Sequence, residues 1–124
     1  MIDHIGFASA DYERSKAFYE RALAPLGFTL LMEFSEAAAG FGRENDDRPS
    51  FFLEAQGEPV HGRLHIAFEA ESRAQVDAFH AAALEAGGTD NGKPGVRWYH
   101  PDYYGGYVLD PDGNNVEAVC HRPV

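Results

Sequence analysis

The sequence predicts an α+β fold in which two paired βαβββ modules form a curved mixed sheet around a shared cleft, within a single domain spanning 1–124. Three observations predict it. The chain matches itself when displaced by 61 positions, which sets Asp3-His4-Ile5-Gly6-Phe7 over Leu64-His65-Ile66-Ala67-Phe68. The register then continues through Ala17-Phe18 over Ala78-Phe79, Leu23 over Leu84 and Gly27 over Gly88. Each copy also passes from a period-two apolar run to a helical one and back to strand-like runs. A length of 124 residues with 44% hydrophobic content suits one domain, burying about two-thirds of the surface its unfolded chain exposes. Module one is read as 1–57 and module two as 62–122, joined by a Gly- and Pro-containing hinge from Gly57 to Gly62.

In chain order, Ile2 to Ala8 alternates apolar residues with a β-branched and aromatic bias and reads as a strand. A helix follows over about Asp11 to Ala24, with Ser15, Phe18, Tyr19, Ala22 and Leu23 on one face and Pro25 and Gly27 closing it. Phe28 to Phe34, Ala38 to Phe41 and Ser50 to Gln56 complete module one as strands, and the polar Gly42 to Pro49 stretch is a loop. Module two opens with a strand over Arg63 to Phe68. Ser72-Arg73-Ala74-Gln75 is a capping box, in which serine and glutamine side chains satisfy each other's orphan amides. The helix it opens carries Val76, Phe79, Ala83 and Leu84 on one face and stops at Gly87-Gly88. Strands are expected at Val96 to His100, Gly105 to Leu109 and Asn115 to His121, the last two joined by a tight turn at Asp110-Pro111-Asp112-Gly113-Asn114.

Charge narrows the partners. The formal net charge of −10 is spread along the chain with no basic run, which argues against nucleic acid and against an anionic membrane surface. No stretch approaches the roughly 20 apolar residues of a membrane span. Met1-Ile2-Asp3-His4 lacks the basic and apolar regions of a secretory signal, so a cytoplasmic location is expected. The one cysteine, Cys120, is expected to fill the sheet as a small hydrophobe.

Equivalent positions in two copies of a repeat point in equivalent directions once the copies pack together. His4 and His65 are such a pair. Allowing two residues of extra loop, Phe52-Leu53-Glu54-Ala55 falls beside Asn115-Val116-Glu117-Ala118, so each half offers a histidine on its first strand and a carboxylate on its last. Two imidazoles with one or two carboxylates suit Fe(II), Mn(II), Ni(II) or Zn(II). Neutral imidazole adds no charge, a carboxylate partly neutralises the ion, and three protein ligands leave positions open for a substrate's oxygens.

With His-Ile-Gly-Phe at 4–7, Arg-Ser-Lys-Ala-Phe-Tyr at 14–19, His-Ile-Ala-Phe at 65–68 and Asp-Pro-Asp-Gly-Asn-Asn-Val-Glu at 110–117, the chain resembles the vicinal oxygen chelate superfamily of glyoxalases, bleomycin resistance proteins and extradiol dioxygenases. The resemblance implies a paired βαβββ fold, a homodimer, and a divalent metal held by His4, His65 and Glu117. Glyoxalase-type members add a second acidic ligand late in the first half, for which Glu54 is the nearest candidate; alignment by hydrophobic pattern instead puts Leu53 there and leaves a three-ligand site.

Tyr104, entering the strand expected to pair with that of Glu117, is the favoured proton or hydrogen-bond donor to a metal-bound oxyanion, against the plainer reading that it and His100 and Tyr103 wall the cleft. Arg97 and Trp98 are candidates for contact with an anionic or aromatic substrate, while His61, His80 and His121 are given no role. The leading expectation is a metal-dependent lyase, isomerase or dioxygenase acting on a small molecule with neighbouring oxygens. The alternative is a non-catalytic protein that sequesters a small molecule or antibiotic. Glyoxalase I itself fits poorly, since glutathione recognition relies on basic residues and this chain is acidic.

Overall fold

Each half of the chain builds the same unit, with its strands in the same spatial order. The computed structural model describes residues 1–35, 37–61 and 63–124; Gly62, expected to end the hinge and open module two, lies outside the described residues. The first unit comprises β1 (Ile5–Ala8), α1 (Tyr12–Leu23), a 3-10 turn (Ala24–Leu26), β2 (Phe28–Phe34), β3 (Ala38–Arg43) and β4 (Phe51–Glu54). The second comprises β5 (His65–Glu69), α2 (Arg73–Glu85), β6 (Thr89–Val96), β7 (Tyr104–Leu109) and β8 (Asn115–Cys120). Strand orders are β1-β4-β3-β2 and β5-β8-β7-β6, with the outer pairs β1/β4 and β5/β8 parallel and the rest antiparallel. The paired βαβββ modules of the expected α+β fold are thus present as two mixed four-stranded sheets, each covered on one face by helix, with α1 packed against α2.

The first helix forms where its apolar spacing puts it. Ser15, Phe18, Tyr19, Ala22 and Leu23 are all buried, the Asp11 carboxylate accepts from the Arg14 amide at 3.2 Å, and Gly27 closes the turn at φ 81°. In α2, Ser72 Oγ accepts from the Gln75 amide at 3.2 Å, but the Gln75 side chain reaches past Ser72 to the amide of Glu71 at 2.8 Å. Val76, Phe79 and Ala83 are buried, whereas Leu84 is 38% exposed and His80 takes the fourth inward place. His80 is there because Asp90, across on β6, receives its Nε2 at 2.9 Å.

The strand expected at Val96 to His100 lies instead at Thr89–Val96, and residues 97–100 turn. Gly92, Pro94 and Gly95 hide this strand from a reading based on β-propensity. They are tolerated because β6 is an edge strand, where proline costs no ladder bond on its outer side, and its pairing with β7 shifts register at Asp90/Gly92 and Gly92/Gly95. Asp90 anchors the irregular edge. The Gly92 amide and then His80 hold its carboxyl below the ordinary value of 3.8. A depressed folded pKa gives stability that is present above the unfolded pKa and lost as pH falls through the folded one. Asp90→Asn is therefore expected to remove part of the acid-side loss of stability below about pH 4; urea midpoints measured at pH 3 and pH 7 check this, and an unchanged difference between them would rule Asp90 out as an anchor.

Beyond the packing of α1 on α2, side chains also join the halves. Phe68 of β5 packs edge-on against Phe28 and Phe51 at 5.4 and 5.5 Å. The turn before β8 reaches back to α1, where the Tyr19 hydroxyl donates to Asp110 at 2.5 Å and the Ala10 amide donates to Asp112 at 3.1 Å. Strand alternation then decides which residues are left for chemistry. Ile66, Phe68, Val116 and Ala118 face the helices; His65, Ala67 and Glu117 face away from them.

Candidate metal centre

Parallel pairing of β5 with β8 sets Ala67 beside Glu117 and His65 two residues back on the same face. From there His65 Nε2 reaches Glu117 Oε1 at 2.8 Å. The carboxylate of Glu117 is wholly buried, yet its partners are an imidazole and a phenol, the hydroxyl of Tyr103 donating to Oε2. Among the described residues no lysine or arginine forms an ion pair with it. A buried carboxylate without a fixed cation is costly, and a divalent ion between it and a neutral imidazole would supply the missing charge. The donor set and its spacing fit such an ion. Burial, and then donation to Glu117, push the Tyr103 hydroxyl well above its ordinary pKa, so it remains a donor.

The first half repeats the scaffold but not the carboxylate. His4 immediately precedes β1, exposed, with its Nδ1 2.8 Å from Asp3 Oδ1. That hydrogen bond, with the nearby Arg48, holds the Asp3 carboxyl below its ordinary pKa. An ionised carboxylate only accepts, so Nδ1 is the donor in this contact and Nε2 is the ring nitrogen that a metal would take. The ring stands edge-on to Phe52 at 5.5 Å.

Sheet register identifies the equivalents. Gly6 pairs with Phe52 as Ala67 pairs with Glu117, and Gly40 pairs with Phe52 as Tyr107 pairs with Glu117. Phe52 therefore holds the place expected of Glu54 or Leu53. Glu117 follows Phe52 by 117 − 52 = 65 positions and Ile66 follows Ile5 by 66 − 5 = 61, so the intervening loops differ by four residues where two had been allowed. Glu54 lies two residues further along the same face, exposed, beside a cavity of about 350 Å³ that His4, Gly6, Ala38 and Phe52 also line. Leu53 points into the core.

His4 and His65 both line a groove of about 630 Å³ between the β1 and β5 edges, with Arg43, Phe51 and Phe68 among its other walls. Even so, among the described residues of one chain no three His, Cys, Asp or Glu side chains come together as a metal cage. His65 and Glu117 make one pair, and His4 has Glu54 near it beside the other cavity.

Tyr104, expected to donate into the site, faces the helix side instead, its hydroxyl 2.6 Å from Asp77 and the Arg73 guanidinium over its ring at 5.0 Å. The next odd positions of β7 carry the useful groups: Tyr107 lies opposite Glu117, with the Arg97 guanidinium stacked over its ring at 5.3 Å. The sequence allows a tyrosine of this stretch to donate but favours Tyr104 over Tyr103 and does not single out Tyr107, because a strand's inward parity is invisible until its first residue is known. Trp98 is 88% exposed and packs against Tyr99, ring centroids 4.9 Å apart.

The comparisons with known proteins agree with this architecture. The family model for the Glyoxalase/Bleomycin resistance protein/Dioxygenase superfamily matches residues 1–118. The chain belongs to that superfamily. A glyoxalase/bleomycin resistance protein from Albidiferax ferrireducens T118 shares 34% identity, with 97% of each chain covered and a TM-score of 0.79. A glyoxalase/bleomycin resistance protein/dioxygenase family enzyme from Burkholderia phytofirmans PsJN shares the fold at 18% identity, with 98% of each chain covered and a TM-score of 0.74. So does a lactoylglutathione lyase from Agrobacterium tumefaciens, at 20% identity over 97% of this chain and 92% of that one, with a TM-score of 0.67. No curated protein matches the chain. Among the described residues no helix is long and apolar enough to cross a membrane.

Proposed function

We propose that the protein is a metal-dependent enzyme acting on a small molecule with two neighbouring oxygens, and that it works as a homodimer in which His65 and Glu117 of one chain and His4 of a second copy hold the ion. The observation that carries this reading is the buried Glu117 carboxylate, 2.8 Å from an imidazole nitrogen and, among the described residues, paired with no lysine or arginine. The second copy enters because the third donor, His4, lies on the other sheet and does not join the pair within one chain. Exposed apolar residues on the outer strands and beyond them, Met32, Phe34, Val96 and Trp98, supply surface for a partner.

Two histidines and one carboxylate suit Fe(II) best, with Mn(II), Ni(II) and Zn(II) as alternatives. When bound, the ion supplies Lewis acidity toward the substrate's paired oxygens. The chain's own residues do the rest. Asp3 fixes the tautomer of His4 so that Nε2 is presented. Tyr107, with Arg97 stacked on it, offers a hydroxyl and a nearby positive charge to an anionic oxygen on the substrate. Glu54, exposed in the cavity beside His4, is placed to accept a proton from a bound molecule.

Metal analysis tests the reading. The protein purified without added metal is expected to carry about one equivalent of ion per chain, lost in His4→Ala and in Glu117→Gln. Mixing those two variants after unfolding together should restore about a quarter of the wild-type metal, because half the dimers are mixed and each then holds one intact site of two. Full metal in His4→Ala would remove the second copy from the reading. Tight binding of an aromatic ligand by metal-free protein, with no ion taken up, would favour the sequestering protein instead.

A further inference from the structure

We propose that Tyr103 is a positioning residue that fixes how Glu117 offers its carboxylate, occupying Oε2 so that Oε1 alone stands beside His65 Nε2. The inference rests on the metal-centre reading above and adds a residue to it. Three observations carry it. The two oxygens of Glu117 have separate partners, Oε1 facing His65 Nε2 at 2.8 Å and Oε2 accepting from the Tyr103 hydroxyl. Gly105 leaves room for that second contact, since a Cβ there would stand 2.9 Å from Glu117 Oε2 and 3.1 Å from Cε1 of Tyr103. Any other residue at 105 would therefore press the pair apart. The phenol is also held in place, with Tyr99 and His121 edge-on to its ring at 5.0 and 5.2 Å.

A hydrogen bond to one oxygen of a carboxylate turns that oxygen toward its donor and favours coordination through the other, while a free carboxylate more readily presents both. Outer partners of metal ligands change affinity by about 10–100-fold. Tyr103 thus sets both the strength of the site and how many positions it leaves open.

Cobalt(II) added to the full-length, metal-free protein is the probe, read by its visible d–d absorbance and its dissociation constant. Wild type is expected to bind it, and His65→Ala to lose it. Tyr103→Phe should still bind, about tenfold more weakly, with a weaker d–d band because a freed second oxygen raises the coordination number. Gly105→Ala disturbs the same contact without removing the hydroxyl and should shift the band in the same direction, which also provides for a Tyr103→Phe protein that fails to fold. If both variants keep the wild-type band and affinity while His65→Ala loses the metal, the positioning role falls and the metal centre stands. If wild type takes up no cobalt, or His65→Ala binds it as wild type does, the metal-centre reading falls and this role with it.

Discussion

Asp110→Ala is expected to lower the melting temperature by roughly 10 °C, among the largest effects of any single change outside the proposed metal centre. The buried Asp110 carboxylate accepts from the Tyr19 hydroxyl at 2.5 Å, the Asn114 side chain at 2.9 Å, and the amides of Asp112 and Asn114 at 2.9 and 2.8 Å. Alanine leaves these donors without an acceptor. Tyr19 and Asn114 are buried, so water reaches them poorly, and each stranded buried donor costs about 1–3 kcal/mol. A total near 3 kcal/mol is a modest sum over such a set and corresponds to the shift given, for a domain of this size. Tyr19→Phe removes one donor together with its need for an acceptor and should cost about 1 kcal/mol. Thermal unfolding followed by circular dichroism compares the two, and equal losses would show that the Asp110 cluster is not acting as a hub.

Glu117→Gln is expected to separate metal binding from stability. In the metal-free protein the amide can accept from Tyr103 and donate to His65, while the uncompensated charge is gone. Its metal-free stability should therefore equal or exceed that of wild type by up to about 1 kcal/mol. The ion's own contribution should vanish. At one hundred times its dissociation constant a ligand that binds only the folded state adds about 2.7 kcal/mol, or roughly 10 °C here, and this increment is what the variant loses. Melting curves with and without Co(II) measure it. A metal-induced rise of wild-type size in Glu117→Gln would remove Glu117 from the ligand set.

How much of this was legible beforehand depended on the range of the forces involved. The buried face of α1 is local and periodic, and Ser15, Phe18, Tyr19, Ala22 and Leu23 were named from spacing alone. The His65 and Glu117 positions carried a motif, and the two turn out to touch. The counterpart of Glu117 in the first half is Phe52 and not Glu54, because β4 and β8 align only after a loop difference that hydrogen-bond register reveals and composition does not. Tyr104 failed for the related reason that a one-residue error in strand phase exchanges the two faces. β6 was missed since glycine and proline conceal an edge strand. The sequence marks Asp110 as a turn former, and its reach to Tyr19, 91 positions away, has no local signature.

The aromatic ring at Phe52 has a stereochemical consequence. In one half of the chain a histidine is paired with a carboxylate, in the other with a benzene ring at the matching place. A planar molecule seated between two such halves has a charged, hydrogen-bonding wall on one side and an apolar wall on the other. Its two faces cease to be equivalent, and a proton or nucleophile delivered from the polar wall reaches one of them alone. The repeat is thus broken at this residue pair, as it is at Gly40 and Tyr107, and in an enzyme of the kind proposed that break would impose a hand on the product.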